Sequence, residues 1–444
     1  MPHSKRKNQV AVIGAGVSGL TTARRLTVEG LHVTVYERHP DSSGVWHYNK
    51  NPNEKKNKST IPTPMYDNLN ANFPRILMEF ADHPWPANES LFPTREKMLE
   101  YLRRYGEGLP IKYNREVIDI YRLTRHPNHG GKRWKVKTRD ARSKDNVSER
   151  NFDAVVVATG TFDCEWEPEY PGLKEWRRMY PRSVSHSKTF NKADKFHNKR
   201  VLLIGNSAAG WEISKQITQV ASKVWVSSSR PNSLRSVPSI EAIRSIKALN
   251  PQDRTVEIEV TDNQSQASPG LLKDVDKIIT CTGYQYTLPY IRKGLRAQEP
   301  LWSDSFYVVD LYLSTFWIED PTLSFIGLPK QGPTFLISQA QAAVVARYLA
   351  NVFKLPSATD MYKSLYRDRQ EWATRRAENP GQDNEKTFHN LPYPRCRDYI
   401  KELERISDME WHNANVRDVR AAFDSQGDRK YKFSTAESLD FKRS

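Results

Sequence analysis

Cysteine is scarce: Cys164, Cys281 and Cys396 are the only three in 444 residues. They are odd in number, far apart and without a CxxC spacing, which argues against structural disulfides, a thiolate zinc site and dithiol redox chemistry. Each is expected as a small core or strand residue. Long apolar runs are missing too: the best candidate, near Gln341 to Phe353, contains Arg347 and falls short of the roughly 18 residues a membrane span needs. The first residues (MPHSKRKNQ) are charged without an apolar stretch and read as no signal peptide, so a cytoplasmic protein is expected. Acids are outnumbered, with 52 Asp and Glu against 68 Lys and Arg and a formal net charge of +16. Clustered cations serve nucleic-acid binding, but no RNA or DNA motif accompanies these. They concentrate in polar stretches expected as solvated loops, Asn49 to Ser59 and Arg139 to Arg150. Histidine shows no metal pattern: His126 and His129 flank Pro127 and Asn128 in an expected solvent-facing turn, and no metal site is expected.

What the chain has is glycine in two particular places, GAGVSG at Gly14 to Gly19 and GNSAAG at Gly205 to Gly210. Gln9 to Ile13 (QVAVI) is an apolar run typical of a buried parallel strand, and Gly14, Gly16 and Gly19 follow at the spacing of a dinucleotide-binding turn. The first glycine permits the tight turn, the second lets backbone amides approach a pyrophosphate, and the third, after Ser18, lets the helix pack close on the strand. A helix is predicted from Val17 to Glu29, then a strand from Leu31 to Tyr36 that runs into Glu37 and Arg38. An acid about 20 residues past the glycines accepts hydrogen bonds from ribose hydroxyls. Glu37 therefore suits FAD or NAD and not a ribose bearing a 2′-phosphate.

The second turn differs at the same place. Val201 to Ile204 predicts its strand, Gly205, Ser207, Ala208 and Gly210 its turn, Trp211 to Val220 its helix, and Lys223 to Val226 the next strand. Ser227, Ser228, Ser229 and Arg230 follow, with no acid. Hydroxyls and a guanidinium are donors, which a 2′-phosphate needs. This site reads as NADPH, with Ser228 and Arg230 toward the 2′-phosphate; the plainer alternative for Arg230 is a solvated loop arginine.

Each unit closes on a similar strand, NFDAVVVATG at Asn151 to Gly160 and DVDKIITCTG at Asp274 to Gly283. Thr159 and Gly160 become candidates for the first site, Thr282 and Gly283 for the second. This internal repeat predicts an α/β fold of two linked Rossmann-type units, a two-dinucleotide-binding flavoprotein architecture. One unit is inserted in the other: residues 1–180 and 286–444 for FAD, 181–285 for NADPH.

On these residues the chain resembles the flavin-containing monooxygenases, in particular the soluble fungal type, over about Gln9 to Leu349. YDNLNANFPRILMEF (Tyr66 to Phe80) is similar to the family's Y-x-x-L-x-T-N-x-P block, with Ala71 in place of threonine and Asn72 on the active-site asparagine. YPRSVSHSKTF (Tyr180 to Phe190) resembles F-x-G-x-x-x-H-S-x-x-F/Y; His186, Ser187 and Phe190 match, while Tyr180 replaces phenylalanine and Arg182 replaces glycine. The family's G-G-x-W reads Ser43, Gly44, Val45, Trp46, one glycine short, with Val45 and Trp46 expected at the flavin. Thr282, Gly283 and Tyr284 match its T-G-Y, and Phe335 to Leu349 matches a helix whose Gln341 would lie near the flavin. Arg182 strains the backbone if its φ is positive and adds a charge near the expected path of NADPH. Ala71 is expected to change substrate fit. The tail after Leu349 matches only weakly.

The resemblance implies that NADPH reduces FAD, that the reduced flavin takes dioxygen at C4a, and that the hydroperoxide, kept dry, gives one oxygen to a soft nucleophile. Asn72 would hold the oxygen species, because an amide donates without titrating; a turn-capping asparagine is the plainer alternative for an Asn-x-Pro. An amine or indole nitrogen in a natural product is the expected target, ahead of sulfur. Partners are then that small molecule and dioxygen, without nucleic acid or membrane, and a homodimer is permitted. Tyr66, Trp46, Phe316 and Trp317 are candidates for the pocket wall. Two other readings stand: an NADPH oxidase or flavin reductase that releases hydrogen peroxide, favoured by Arg182 and the lost glycine, and a non-catalytic NADPH-binding sensor, disfavoured by GAGVSG and Glu37.

Overall fold

The computed structural model describes residues 8–48, 63–123, 133–228, 239–259, 270–291, 302–303, 306–378, 387–392 and 394–407. The continuous apolar runs form parallel strands, because a strand covered on both faces has no polar side to turn to water. A seven-stranded sheet has the order Leu311–Tyr312, Phe316–Trp317, Leu323–Phe325, Ala154–Val157, Gln9–Ile13, His32–Tyr36, Ile111–Lys112. A five-stranded, all-parallel sheet has the order Ile240–Ile243, Lys223–Ser227, Arg200–Ile204, Lys277–Thr280, Val184–His186. The helices are α1 (Val17–Val28), α2 (Arg95–Gly106), α3 (Leu173–Met179), α4 (Ala208–Ile217), α5 (Thr334–Leu349), α6 (Ala358–Glu378) and α7 (Arg395–Ser407). α5 is apolar nearly all round and accordingly buried, between α1 and α7.

The repeat runs deeper than the sequence showed. Before its closing strand each unit carries a three-stranded antiparallel sheet: Arg115–Arg122, Trp134–Asp140 and Ser148–Phe152 in the first, Ile246–Asn250, Thr255–Ile258 and Gly270–Leu272 in the second. Equivalent hydrogen bonds recur. Asp153 Oδ2 accepts from the Gln9 amide at 2.7 Å, and Asp276 Oδ2 from the Arg200 amide at 2.9 Å. The Gly14 amide donates to the Tyr36 carbonyl at 2.8 Å, and the Gly205 amide to the Ser227 carbonyl at 2.9 Å.

Several boundaries move. The second nucleotide helix starts at Ala208, not Trp211, since the last glycine of the turn is already helical. Arg139 to Arg150 is no loop: it is a hairpin between two strands, and Arg139 and Lys144 both pair with Glu116. α3, assigned above to the first unit, packs in the second, where Leu173 and Trp176 are buried with Leu202, Ile204 and Ile278. Cys281 and Cys396 are buried and Cys164 is half-buried in the short strand Cys164–Glu165. Among the described residues no helix is long and apolar enough to cross a membrane. Asn49 to Ser59, His126, His129 and Arg230 lie outside the described residues.

Candidate functional site

Both turns obey the same steric rule. A Cβ on Gly14 (φ +101°) would stand 2.6 Å from the Ala158 carbonyl oxygen, and one on Gly205 (φ +107°) 2.6 Å from that of Cys281. Neither position accepts a side chain. Gly16 and Ser207 are the N-cap residues of the helices that follow, and no side chain caps either N-terminus, which leaves amides and the positive end of the helix dipole for a phosphate. Gly19 and Gly210 are buried where each helix crosses its own turn.

The first turn is roofed. A Cβ on Gly44 (φ +52°) would come within 2.6 Å of Gly16 Cα, so this glycine of the G-G-x-W motif is required and is present. Ser43 has φ −113°, which any residue adopts, so its missing glycine costs nothing. Gly44–Trp46 forms a 3-10 turn with Val45 half-buried and Trp46 buried. From the other side Ser18 Oγ meets Ser338 Oγ at 2.9 Å, which ties α1 to α5.

Just past the strand His32–Tyr36, Glu37 is 4% exposed. Its Oε2 accepts from the Ala15 amide at 2.6 Å and its Oε1 from the His39 amide at 2.8 Å. Burial holds the carboxyl above its ordinary range, against the pull of those two amides. Arg38 pairs with Asp163 at 2.5 Å, in the segment that leaves the first unit. In the second unit the equivalent Ser228 is half-buried, and its amide donates to the Ile243 carbonyl at 3.0 Å.

The closing turns leave room. Gly160 (φ +72°) and Gly283 (φ +89°) stand at equivalent places, and a Cβ on either would meet nothing within 4 Å. Open space beside two uncapped helix starts fits two dinucleotides. Thr159 Oγ1 lies 2.7 Å from the Tyr290 hydroxyl, and Thr282 Oγ1 donates to the Trp166 carbonyl. The short strands Cys164–Glu165 and Tyr284–Gln285 pair antiparallel and form the two-way connection between the units. His186 serves this joint: Nε2 lies 3.1 Å from the Gly283 carbonyl, Nδ1 accepts from the Lys188 amide, and burial lowers its pKa, which keeps it neutral.

The Asn72 segment spans both units. Tyr66 is buried edge-on against Phe190 at 5.3 Å within the second unit's apolar cluster, and the Asp67 amide donates to the Asn191 carbonyl at 2.9 Å. Ala71 is buried in the first unit's cluster, where a hydroxyl would be out of place. Asn72 itself is exposed.

One expected site residue turns out to be tied up by protein groups, and two expectations need correction. Gln341 is fully buried and its amide is taken up by protein: Oε1 accepts from the Gly327 amide at 2.9 Å, while Nε2 donates to Thr315 Oγ1 at 2.9 Å and to the Tyr399 hydroxyl at 2.8 Å. It braces α5 against α7. Phe316 and Trp317 are both 0% exposed in a sheet strand and are core, not pocket wall. Arg182 does have a positive φ, +66°, but precedes the N-terminal end of Val184–His186. Nucleotides bind outside the carboxyl ends of such strands, so its charge lies at the far edge from Gly205. Sequence reasoning missed Gln339, whose buried amide accepts from Ala81 and donates to the Glu79 and Phe335 carbonyls. Its signal was a second glutamine in an otherwise apolar helix.

The sequence profile of flavin-binding monooxygenase-like proteins matches residues 7–236 and 254–409. The chain belongs to this family. The match extends to residue 409, so α6 and α7, set aside above as a weakly matching tail, are part of the family pattern. This flavin-binding monooxygenase is 30% identical over 386 residues to the flavin-containing monooxygenase GS-OX-like 9 of Arabidopsis thaliana, covering 82% of this chain and 81% of that protein. It is 29% identical over 367 residues to the thiol-specific monooxygenase of Saccharomyces cerevisiae, covering 80% of each. Its fold is similar to S-allyl-L-cysteine S-oxygenase from Allium sativum, with a TM-score of 0.77, 25% identity, and 96% of this chain and 95% of that one covered. The protein is a flavin-dependent monooxygenase whose cofactors are FAD and NADPH, on the two-dinucleotide-binding fold that the paired turns predict.

Proposed function

We propose that the chain transfers one atom of dioxygen to a soft nucleophilic atom of a small molecule, with FAD at the Gly14 turn and NADPH at the Gly205 turn. The bound flavin supplies the redox chemistry, accepting electrons from NADPH and activating dioxygen. The chain's own residues bind, orient and exclude water. The first turn with Glu37 would hold the FAD phosphates and ribose; the second turn with Ser228 and Arg230 would hold those of NADPH. In this reading the chain leaves the FAD unit near Glu165 and returns to it near Tyr286.

The observation that carries the reading is the Tyr66–Asn72 segment, anchored at Tyr66 in one unit and at Ala71 in the other, with an exposed amide at its end. An amide on a segment held by both units is a donor that can hold a reactive oxygen without exchanging protons with it. The accepting atom is sulfur or an amine or indole nitrogen. The fungal resemblance supports nitrogen, whereas two similar proteins are named for sulfur, as a thiol-specific monooxygenase and an S-allyl-L-cysteine S-oxygenase.

Incubating the FAD-loaded protein with NADPH and a panel of thiols, thioethers, amines and indoles, with products read by mass, tests this. A gain of one oxygen on some member is the expected result, and the responding class settles sulfur against nitrogen. NADPH consumption matched by hydrogen peroxide, with no oxygenated product across the panel, would install the oxidase reading instead.

A further inference from the structure

Lys330 is a half-buried charge with no counter-ion among the described residues. Its Nζ lies 3.4 Å from the Tyr284 carbonyl oxygen and 4.0 Å from the centre of the Tyr286 ring, and among the described residues no carboxylate pairs with it. The backbone here is pinned: the Lys330 amide donates to the His389 carbonyl at 3.0 Å, and the Leu391 amide donates back to Lys330 at 2.8 Å. Even partial burial of an ammonium without a counter-charge is costly, and a fold tolerates it where an anion arrives later.

The position says which anion. The segment carrying Lys330 begins at Gly327, where a Cβ would stand 2.2 Å from Ser18 Oγ on the FAD-side helix α1. It ends at the N-terminus of α5, which no side chain caps. Tyr284, the partner of Nζ, directly follows Gly283 of the NADPH-side closing turn. The ammonium thus stands where the elements expected to hold the two cofactors converge, beside the positive end of a helix dipole.

Resting on the function proposed above, we infer that Lys330 sets the ease of flavin reduction, its ammonium balancing the negative charge that reduction places on the bound flavin. NADPH gives up two electrons and one proton and becomes NADP⁺; the flavin receives all three and becomes a monoanion, so charge balances. A fixed cation nearby favours the charged, reduced state and raises the reduction potential. The groups facing Lys330 do not titrate in its range. Burial pushes the Tyr284 and Tyr286 hydroxyls well up, and it lowers His389 to about 3, helped by Lys330 itself. Burial lowers Lys330 to about 8.

The test compares FAD-loaded wild type with Lys330→Met, Lys330→Gln and Lys330→Arg by spectroelectrochemistry and by stopped-flow reduction with NADPH. Met and Gln are expected to hold native amounts of flavin, to shift its potential to more negative values, and to slow reduction about tenfold, the equivalent of one pK unit. Arg stays near wild type. Above pH about 8 the wild-type potential falls more steeply as the ammonium loses its proton, and the Met variant lacks that break. An unchanged potential in Met and Gln, an equal displacement in all three variants, or a weakened NADPH affinity at native potential would each overturn the inference. So would flavin-free Met and Gln proteins, which would make Lys330 a binding residue. Failure of the underlying function would look different, as a wild-type protein that takes up no FAD.

Discussion

The two glycine turns share a backbone and differ in their surroundings. At the first, Val17, Ser18 and Gly19 are buried, Gly44 lies against Gly16, and α5 closes the other side through Ser338. At the second, Ser207 and Ala208 are exposed. The same turn is thus enclosed in one unit and open in the other. A ligand under a roof leaves only when the roof moves, whereas one on an open turn exchanges freely, and affinity differences of this kind lie mostly in the off-rate. The difference suits a resident flavin and a consumable NADPH.

The sharpest way to break this comparison is to damage each turn in the same way. Gly14→Val and Gly205→Val both force a side chain onto a carbonyl 2.6 Å away at a φ above +100°. The local cost is similar, at least about 3 kcal/mol. Gly14→Val is expected to yield unstable, flavin-free protein. Gly205→Val should keep its yellow colour and lose NADPH-dependent reduction while still accepting electrons from dithionite. If both variants lose flavin equally, the turns are not functionally separate.

The residues that follow the second strand of each unit sharpen the contrast. Glu37→Arg removes the acceptor of two backbone amides, at about 1–3 kcal/mol for each left unsatisfied, and, on the proposed reading, puts a cation where ribose hydroxyls would need an acceptor. Flavin content after purification should fall well below wild type. Arg230→Glu should raise the apparent constant for NADPH about tenfold and spare NADH, which has no 2′-phosphate to repel. Equal effects on both nucleotides would remove Arg230 from the site.

The legible part of this fold was the part built by repetition. Strand, turn, helix and strand could be read twice because apolar runs and glycine spacing have short periods, and Glu37 could be read because its offset from the turn is set by one helix and one strand. What remained hidden depends on contacts between distant segments. Nothing local says that Gln341 is consumed by Thr315 and Tyr399, that Ser43 needs no positive φ, or that Arg182 faces the wrong edge of its sheet. Family motifs named these positions without saying which way their side chains go. Lys330 was invisible for the same reason, as one lysine in a chain with an excess of them.

Asn72 ends a segment that packs in both units, and a variant there tests whether the units act together. Asn72→Leu keeps the volume and removes the donor. Because the residue is exposed, stability should hardly change. Flavin reduction by NADPH should persist, while oxygen transfer falls by about 10²–10³, the effect of one lost preorganised donor worth about 2.7–4 kcal/mol. The missing electrons should appear as hydrogen peroxide. Full product yield from this variant would leave Asn72 as a turn residue and the joint between the units without a chemical role.

The smallest expected effect isolates a departure that lies outside both sites. Arg182 holds a φ of +66°, which costs a non-glycine residue about 1–2 kcal/mol, whereas glycine would lose about 0.5–1 kcal/mol in added unfolded-state freedom. Arg182→Gly is therefore expected to stabilise the protein by up to about 1 kcal/mol. The bond from Lys277 Nζ goes to the backbone carbonyl of Arg182, at 2.9 Å, and survives the change. Because the residue precedes the N-terminal end of its strand and the Gly205 turn follows the carboxyl ends, the constants for NADPH and the ratio of product to peroxide should match wild type. Thermal unfolding and coupled assays on the same preparation check both halves. A change in NADPH handling without a change in stability would return Arg182 to the cofactor's path and reverse the strand placement argued for the second unit.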